Sequence, residues 1–111
     1  MVRRGEIYFA DLGEPVGHEQ AMRRPVVLVS ADPWLESDPP VIAVVPVTRT
    51  ARGRSTHVEI EPGDSGLRAT SYAKCEDIRS ISPLRLGHRF GEVDEVTMAR
   101  IDLILRRILA L

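Results

Sequence analysis

The chain has 111 residues, 43% of them hydrophobic and 28% charged, which excludes a disordered composition and suits a single domain spanning 1–111. Fifteen basic residues stand against sixteen acidic ones, so the net charge of -1 excludes a global positive field; any nucleic-acid partner must meet a local basic patch. The lone Cys75 excludes an internal disulfide and reads as a buried, inert thiol. The opening residues reach Asp11 too soon to build the apolar core of a leader, and no apolar run approaches a membrane span, which predicts a cytoplasmic protein with no membrane partner.

The alternation over Glu6–Leu12 predicts a first strand, and Gly13–Arg24, with two Gly and Pro15, predicts a long loop. Pro25–Val29 reads as a buried strand, followed by a turn through Asp32 and Pro33. Val41–Val47 is rich in β-branched residues and predicts another buried strand, with Pro46 at its end or at a sheet edge. Thr56–Glu61 alternates as a strand, residues 62–66 form a turn, and further strands follow around Ser71–Cys75, Ile78–Ile81 and Arg89–Val93. From Asp94, which can cap it, a helical period sets in: Met98, Ile101, Leu105 and Ile108 share one apolar face. Asp102 and Arg106 are spaced for an exposed pair on the opposite side. The pattern is mainly β with a C-terminal helix over a small, strongly bent sheet or SH3-like barrel.

Three histidines invite a two-imidazole ribonuclease, but His57 lies in an alternating strand, His88 follows a turn glycine, and His18 alone is in the long loop. Surface or strand roles fit them better. No two His share ligand spacing, and Glu92, Asp94 and Glu95 suit a helix start, so no metal and no cofactor are expected. The loop Gly17–Arg24 differs from these, because it gathers His18, Glu19, Gln20, Arg23 and Arg24 against a buried strand. Thr48 emerges directly after the other buried strand and before Arg49, Arg52 and Arg54, a patch without an acid. The plain alternative is that Arg24 pairs with a carboxylate and Thr48 caps a turn.

At these residues the chain resembles the MazF/PemK (Kid) ribonuclease toxins of type II toxin-antitoxin systems. The resemblance begins at Arg4-Gly5-Glu6-Ile7-Tyr8 and runs through Gly17-x-Glu19-Gln20-x-x-x-Arg24-Pro25-Val26-Val27-Leu28-Val29-Ser30. It takes in Val44-Val45-Pro46-Val47-Thr48 and ends with Ile78-Arg79-Ser80-Ile81 before the terminal helix. It implies an SH3-like barrel, a homodimer, metal-independent cleavage of single-stranded RNA at short target sequences, and neutralisation by a cognate antitoxin; the acid-free patch of Arg49, Arg52 and Arg54 suggests that an acidic tail of that antitoxin competes for Arg24 and this segment. Arg24 and Thr48 match the family's catalytic pair, and Glu19 matches a loop acid used as a base. His18, Gln20, Arg23, Arg49, Arg52, Arg54, Asp77 and Arg79 are the RNA-binding candidates. Met22 stands where many members have Gly, which predicts a stiffer loop over the groove, and Asp77 stands where Gln is common, adding negative charge near that groove, so the target sequence does not transfer.

The implied reaction suits these residue types. The RNA 2'-hydroxyl attacks its own phosphate; the protein accepts that proton, stabilises charge on the phosphorane and lets the 5'-oxygen leave protonated. Guanidinium holds its proton too tightly to be the acid, so Arg24 is expected to act electrostatically. Two other classes stay open: a toxin of the same fold that poisons DNA gyrase by binding, and a non-catalytic interaction module. Gyrase poisons resemble one another in a Trp-Gly-Ile terminus, whereas this chain's one Trp is Trp34 and it ends Leu109-Ala110-Leu111.

Overall fold

The computed structural model describes residues 1–13 and 23–111. Its strands are β1 (Glu6–Asp11), β2 (Arg23–Leu28), β3 (Ile42–Thr48), β4 (His57–Ile60), β5 (Ser71–Lys74), β6 (Arg79–Ile81) and β7 (Leu86–Glu92). A short helix α1 spans Asp32–Glu36, and α2 spans Glu95–Leu109. The strands run β4-β5-β3-β2-β1-β7, all neighbours antiparallel, and β6 also pairs with β3. Among the described residues no ladder joins β4 to β7, so the bent sheet is an open barrel. This is the mainly β architecture with a C-terminal helix that the change of period predicts.

β3 is the hub. One of its edges pairs with β2, while the other pairs with β6 over Ile42–Val44 and then with β5 at Val47 and Thr48. Pro46 lies inside this strand, not at its end or on an outer edge strand, and is fully buried. Proline has no N–H for a ladder, and it falls where the outer flank of β3 passes from one partner strand to the other. Alternation along β3 feeds two cores. Val45 and Val47 pack with Ile7, Val58, Ile60, Ile101 and Leu105 beneath α2; Val44 and Ile42 pack with Ala10, Val26, Leu28 and Leu35 on the other face.

Three local expectations are corrected. Asp32 and Pro33 open α1 rather than a simple turn, since proline suits a first helical turn and Leu35 gains a buried place in the second core. Strand β2 begins at Arg23, so Arg23 and Arg24 belong to the sheet and not to the loop before it. Asp102 pairs with Arg4, whose guanidinium makes two bonds to it, instead of with Arg106. Arg4 also donates from Nε to the Val29 carbonyl at 3.1 Å and from its backbone N–H to Asp32 at 2.7 Å, so one residue ties the segment just after β2 to α1 and α2. Asp94 caps α2 as expected, accepting from the Thr97 N–H at 2.7 Å.

Candidate active site

Arg24 and Thr48 are brought together by the β2–β3 ladder. The pairs Val26↔Pro46, Val27↔Val45 and Leu28↔Val44 set a register that, continued by two residues, puts Arg24 across from Thr48. Both residues line one cavity of about 360 Å³ at that end of the sheet. Thr48 is 5% exposed, and its Oγ1 accepts from the Thr50 N–H at 3.2 Å. It does cap a turn, as the plain alternative holds, but a hydroxyl that accepts one bond keeps its hydrogen to donate.

The described residues lining the cavity supply the guanidinium groups of Arg24, Arg49 and Arg68, the hydroxyls of Thr48, Thr50 and Ser71, and no carboxylate. Pro25, Val47, Leu67 and Phe90 form its apolar walls. Such a concavity suits an anion, because its charged and polar lining carries only cations and hydroxyls and its apolar walls strengthen each electrostatic interaction. Arg68 was not singled out in the sequence. It sits in the β4–β5 connection, which is docked backbone to backbone on β7. A Cβ on Gly66 would lie 1.9 Å from the Phe90 carbonyl oxygen, and one on Gly91 would lie 2.1 Å from that of Asp64. Gly66 also has φ +73°, and the Glu92 N–H donates to the Asp64 carbonyl at 2.9 Å. The available signal was Gly63 and Gly66 bracketing a turn directly before Leu67-Arg68, a loop that only glycine lets approach another strand so closely.

The other candidates are scattered. Arg49 lines the cavity, whereas Arg52 and Arg54 are exposed in the same loop without lining it. Arg23 is exposed at the start of β2, opposite Asp11. Asp77 and Arg79 lie near the far half of β3: Arg79 pairs with Val44, four residues or roughly 13 Å along the strand from Thr48, and Asp77 forms an ion pair with Lys74 at 3.0 Å. His18, Glu19 and Gln20 lie outside the described residues, as does Met22. Neither His57 nor His88 lines the cavity. The His57 side chain is buried on β4, with its Nε2 3.0 Å from Glu76, which also accepts from the Thr56 hydroxyl at 2.8 Å. Partial burial works to raise the Glu76 pKa, but hydrogen bonds from Thr56, its own backbone N–H and His57, with the charge of His57, outweigh it and hold the carboxyl below its usual range. Burial, and then the negative charge of Glu76, push the Cys75 thiol up to about 12, in keeping with an inert core residue.

The sequence motif Arg4-Gly5-Glu6 proves to be scaffold. Gly5, at φ +90°, bonds to Leu28 and Val93 through its N–H and carbonyl, and buried Glu6 accepts from Arg89 at 2.6 Å and from the Arg3 N–H at 2.6 Å.

Comparison with known proteins agrees with this architecture. Endoribonuclease EndoA of Bacillus subtilis (strain 168) is 34% identical over 112 residues, covering 100% of this chain and 97% of that protein. A solved endoribonuclease in complex with its cognate antitoxin, from a mycobacterial species, superposes with a TM-score of 0.82 at 29% identity, covering 100% and 97% of the two chains. MazF from Deinococcus radiodurans superposes with a TM-score of 0.83 at 22% identity over 99% and 97%, a likeness of fold. The profile of the PemK-like, MazF-like toxins matches residues 3–109, and the chain therefore belongs to that family of type II toxin-antitoxin toxins.

Proposed function

We propose that this protein is a metal-independent endoribonuclease, the toxin of a type II toxin-antitoxin pair, which cleaves single-stranded RNA by attack of a 2'-hydroxyl on the adjacent phosphate. The observation that carries this reading is the meeting of Arg24 and Thr48 in one arginine-lined cavity, although they are twenty-four positions apart in the chain. The scissile phosphate enters among the three guanidinium groups. Arg24, held on a strand rather than a loop, donates to the non-bridging oxygens as they gain charge, and the Thr48 hydroxyl donates beside it. Glu19 takes the 2'-hydroxyl proton, the 2'-oxygen bonds to phosphorus, and the bond to the 5'-oxygen breaks with that oxygen protonated from water. The products are a 2',3'-cyclic phosphate and a 5'-hydroxyl.

The toxin acts in the cytoplasm as a homodimer, and its antitoxin inhibits it by laying an acidic segment on the same arginines. The likeness to an endoribonuclease solved with its cognate antitoxin supports that partner. The exposed apolar residues Leu103, Ile108, Leu109 and Leu111, beyond what the sheet covers, support pairing between copies. Purified protein incubated with RNA in excess chelator tests the reaction: cleavage with cyclic-phosphate ends is expected. Cleavage that requires magnesium and leaves a 5'-phosphate would overturn it, as would full activity in a well-folded Arg24→Ala variant.

A further inference from the structure

Beside the arginine cavity stands a cluster of three rings drawn from β1 and β7. Phe9 and His88 are stacked, with centroids 5.4 Å apart and planes at 17°. His88 and Phe90 are 4.6 Å apart, and Phe9 meets Phe90 edge-on at 6.2 Å. The chain has only two phenylalanines, and both are here, neither fully buried. His88 is exposed to solvent. The cluster is continuous with the cavity, because Phe90 is one of its walls and Phe9 lies across the ladder from Pro25, another wall, next to Arg24.

Packing of β1 on β7 accounts for the edge-on Phe9 and Phe90 pair. It does not account for an exposed imidazole laid flat on Phe9, where a charged or branched residue would keep the sheet surface soluble. Single-stranded RNA alternates phosphates with flat, unpaired bases. Proteins that bind it set guanidinium groups for the first next to ring faces for the second. We propose that Phe9, His88 and Phe90 form a stacking shelf for one nucleobase flanking the phosphate held by Arg24, with His88 as the ring that meets the base. The proposal rests on the ribonuclease reading above and adds a base subsite to it. Stacking accepts any base face, so the shelf contributes affinity and strand register more than base identity.

The test uses an RNA oligonucleotide spanning a cleavage site that the wild-type protein makes in a long transcript, with a 2'-deoxy nucleotide at the cut to block attack. His88→Ala and Phe9→Leu are expected to weaken its binding about tenfold, the scale of one base–aromatic contact. The loss should fall mainly on KM, with cleavage of the unblocked RNA reduced more at trace than at saturating concentration, because the shelf touches no reacting atom. Removing single bases in turn on either side of the cut should reveal one position whose loss costs the wild type about tenfold and costs His88→Ala nothing. A residue that only stabilised the sheet would not produce that coupling. His88 is exposed, so its variant folds even where Phe9→Leu does not. Transcripts cut normally in chelator, with oligonucleotide affinities unchanged in His88→Ala, would sink the shelf alone. Transcripts left uncut by the wild type would sink the ribonuclease reading and the shelf with it.

Discussion

Arg24 and Thr48 are asked to do different amounts of work, and substitution should separate them. Arg24→Ala is expected to lower the cleavage rate at least about a hundredfold, the scale of losing one preorganised donor to a developing anion. Arg24→Lys should be nearly as poor, because an ammonium is a point charge and cannot reproduce the two parallel bonds of a guanidinium. Thr48→Ala should be milder and Thr48→Ser close to wild type, since serine keeps a hydroxyl that accepts from the Thr50 N–H and retains its own hydrogen for donation. Arg68→Ala should weaken RNA binding more than it slows the bound reaction. Rates must be read beside melting temperatures, and a variant that loses both equally marks a structural role. Arg24 and Thr48 stand out in the sequence because each sits directly at the mouth of an apolar run, but their residue types alone suit a solvated loop and a turn cap; the resemblance pairs them, and the β2–β3 register brings them together. Arg68 does not stand out, because its place depends on a loop folding back onto a strand twenty-two residues further on at Phe90.

The elements show which sequence signals survive folding. Period two marked the strands and the switch of period marked α2, because those patterns follow directly from which face is buried. Pro46 misled for a physical reason: proline is barred from a ladder only where its missing N–H is needed, and β3 changes partners there. Helix α1 was hidden because five residues give too little period to see; its Asp32-Pro33 opening reads equally well as a turn. Docking of the β4–β5 connection on β7 offers a test of how the cavity wall is held. Gly66→Ala must place a Cβ against the Phe90 carbonyl and accept a left-handed φ, so it should cost about 1–3 kcal/mol or more and reduce RNA cleavage with it. Gly53→Ala, also at positive φ but with nothing within 4 Å, should leave cleavage intact and is the control. At the opposite end of β5, Glu76 binds the start of β4 through Thr56 and His57. Its carboxyl is held below the usual range when folded, so its contribution is full above the unfolded value of about 4.3 and is lost as pH falls through the lower folded value. Melting temperature against pH should therefore fall less steeply on the acid side in Glu76→Gln than in wild type.

Over the whole molecule, a net charge of -1 and one cavity with three arginines make affinity for RNA a local matter. If those three carry the phosphate contacts, the logarithm of the binding constant should fall against the logarithm of salt concentration with a slope of about −2, as expected for three neutralised charges on a single strand. A slope near zero would mean that the arginines do not meet phosphate. Sedimentation at micromolar concentration should find a dimer, since Leu103 and Leu109 on α2 and Leu111 just beyond it are 49%, 48% and 87% exposed; a monomer there would contradict the pairing.

The closure of β1 on β7 has a further consequence, for the order of events during synthesis. Residue 6 pairs with residue 92, and Arg4 waits for Asp102, ninety-eight positions later. The cavity likewise takes side chains from Arg24 at one extreme to Phe90 at the other. A chain synthesised only as far as β6 holds Arg24 and Thr48 but has neither β7 nor a loop docked on it, and therefore no complete site. Contacts of such long sequence separation also form slowly. The cavity is therefore a late product of folding, complete only once the strand that reaches Glu92 has closed on the one that begins at Glu6.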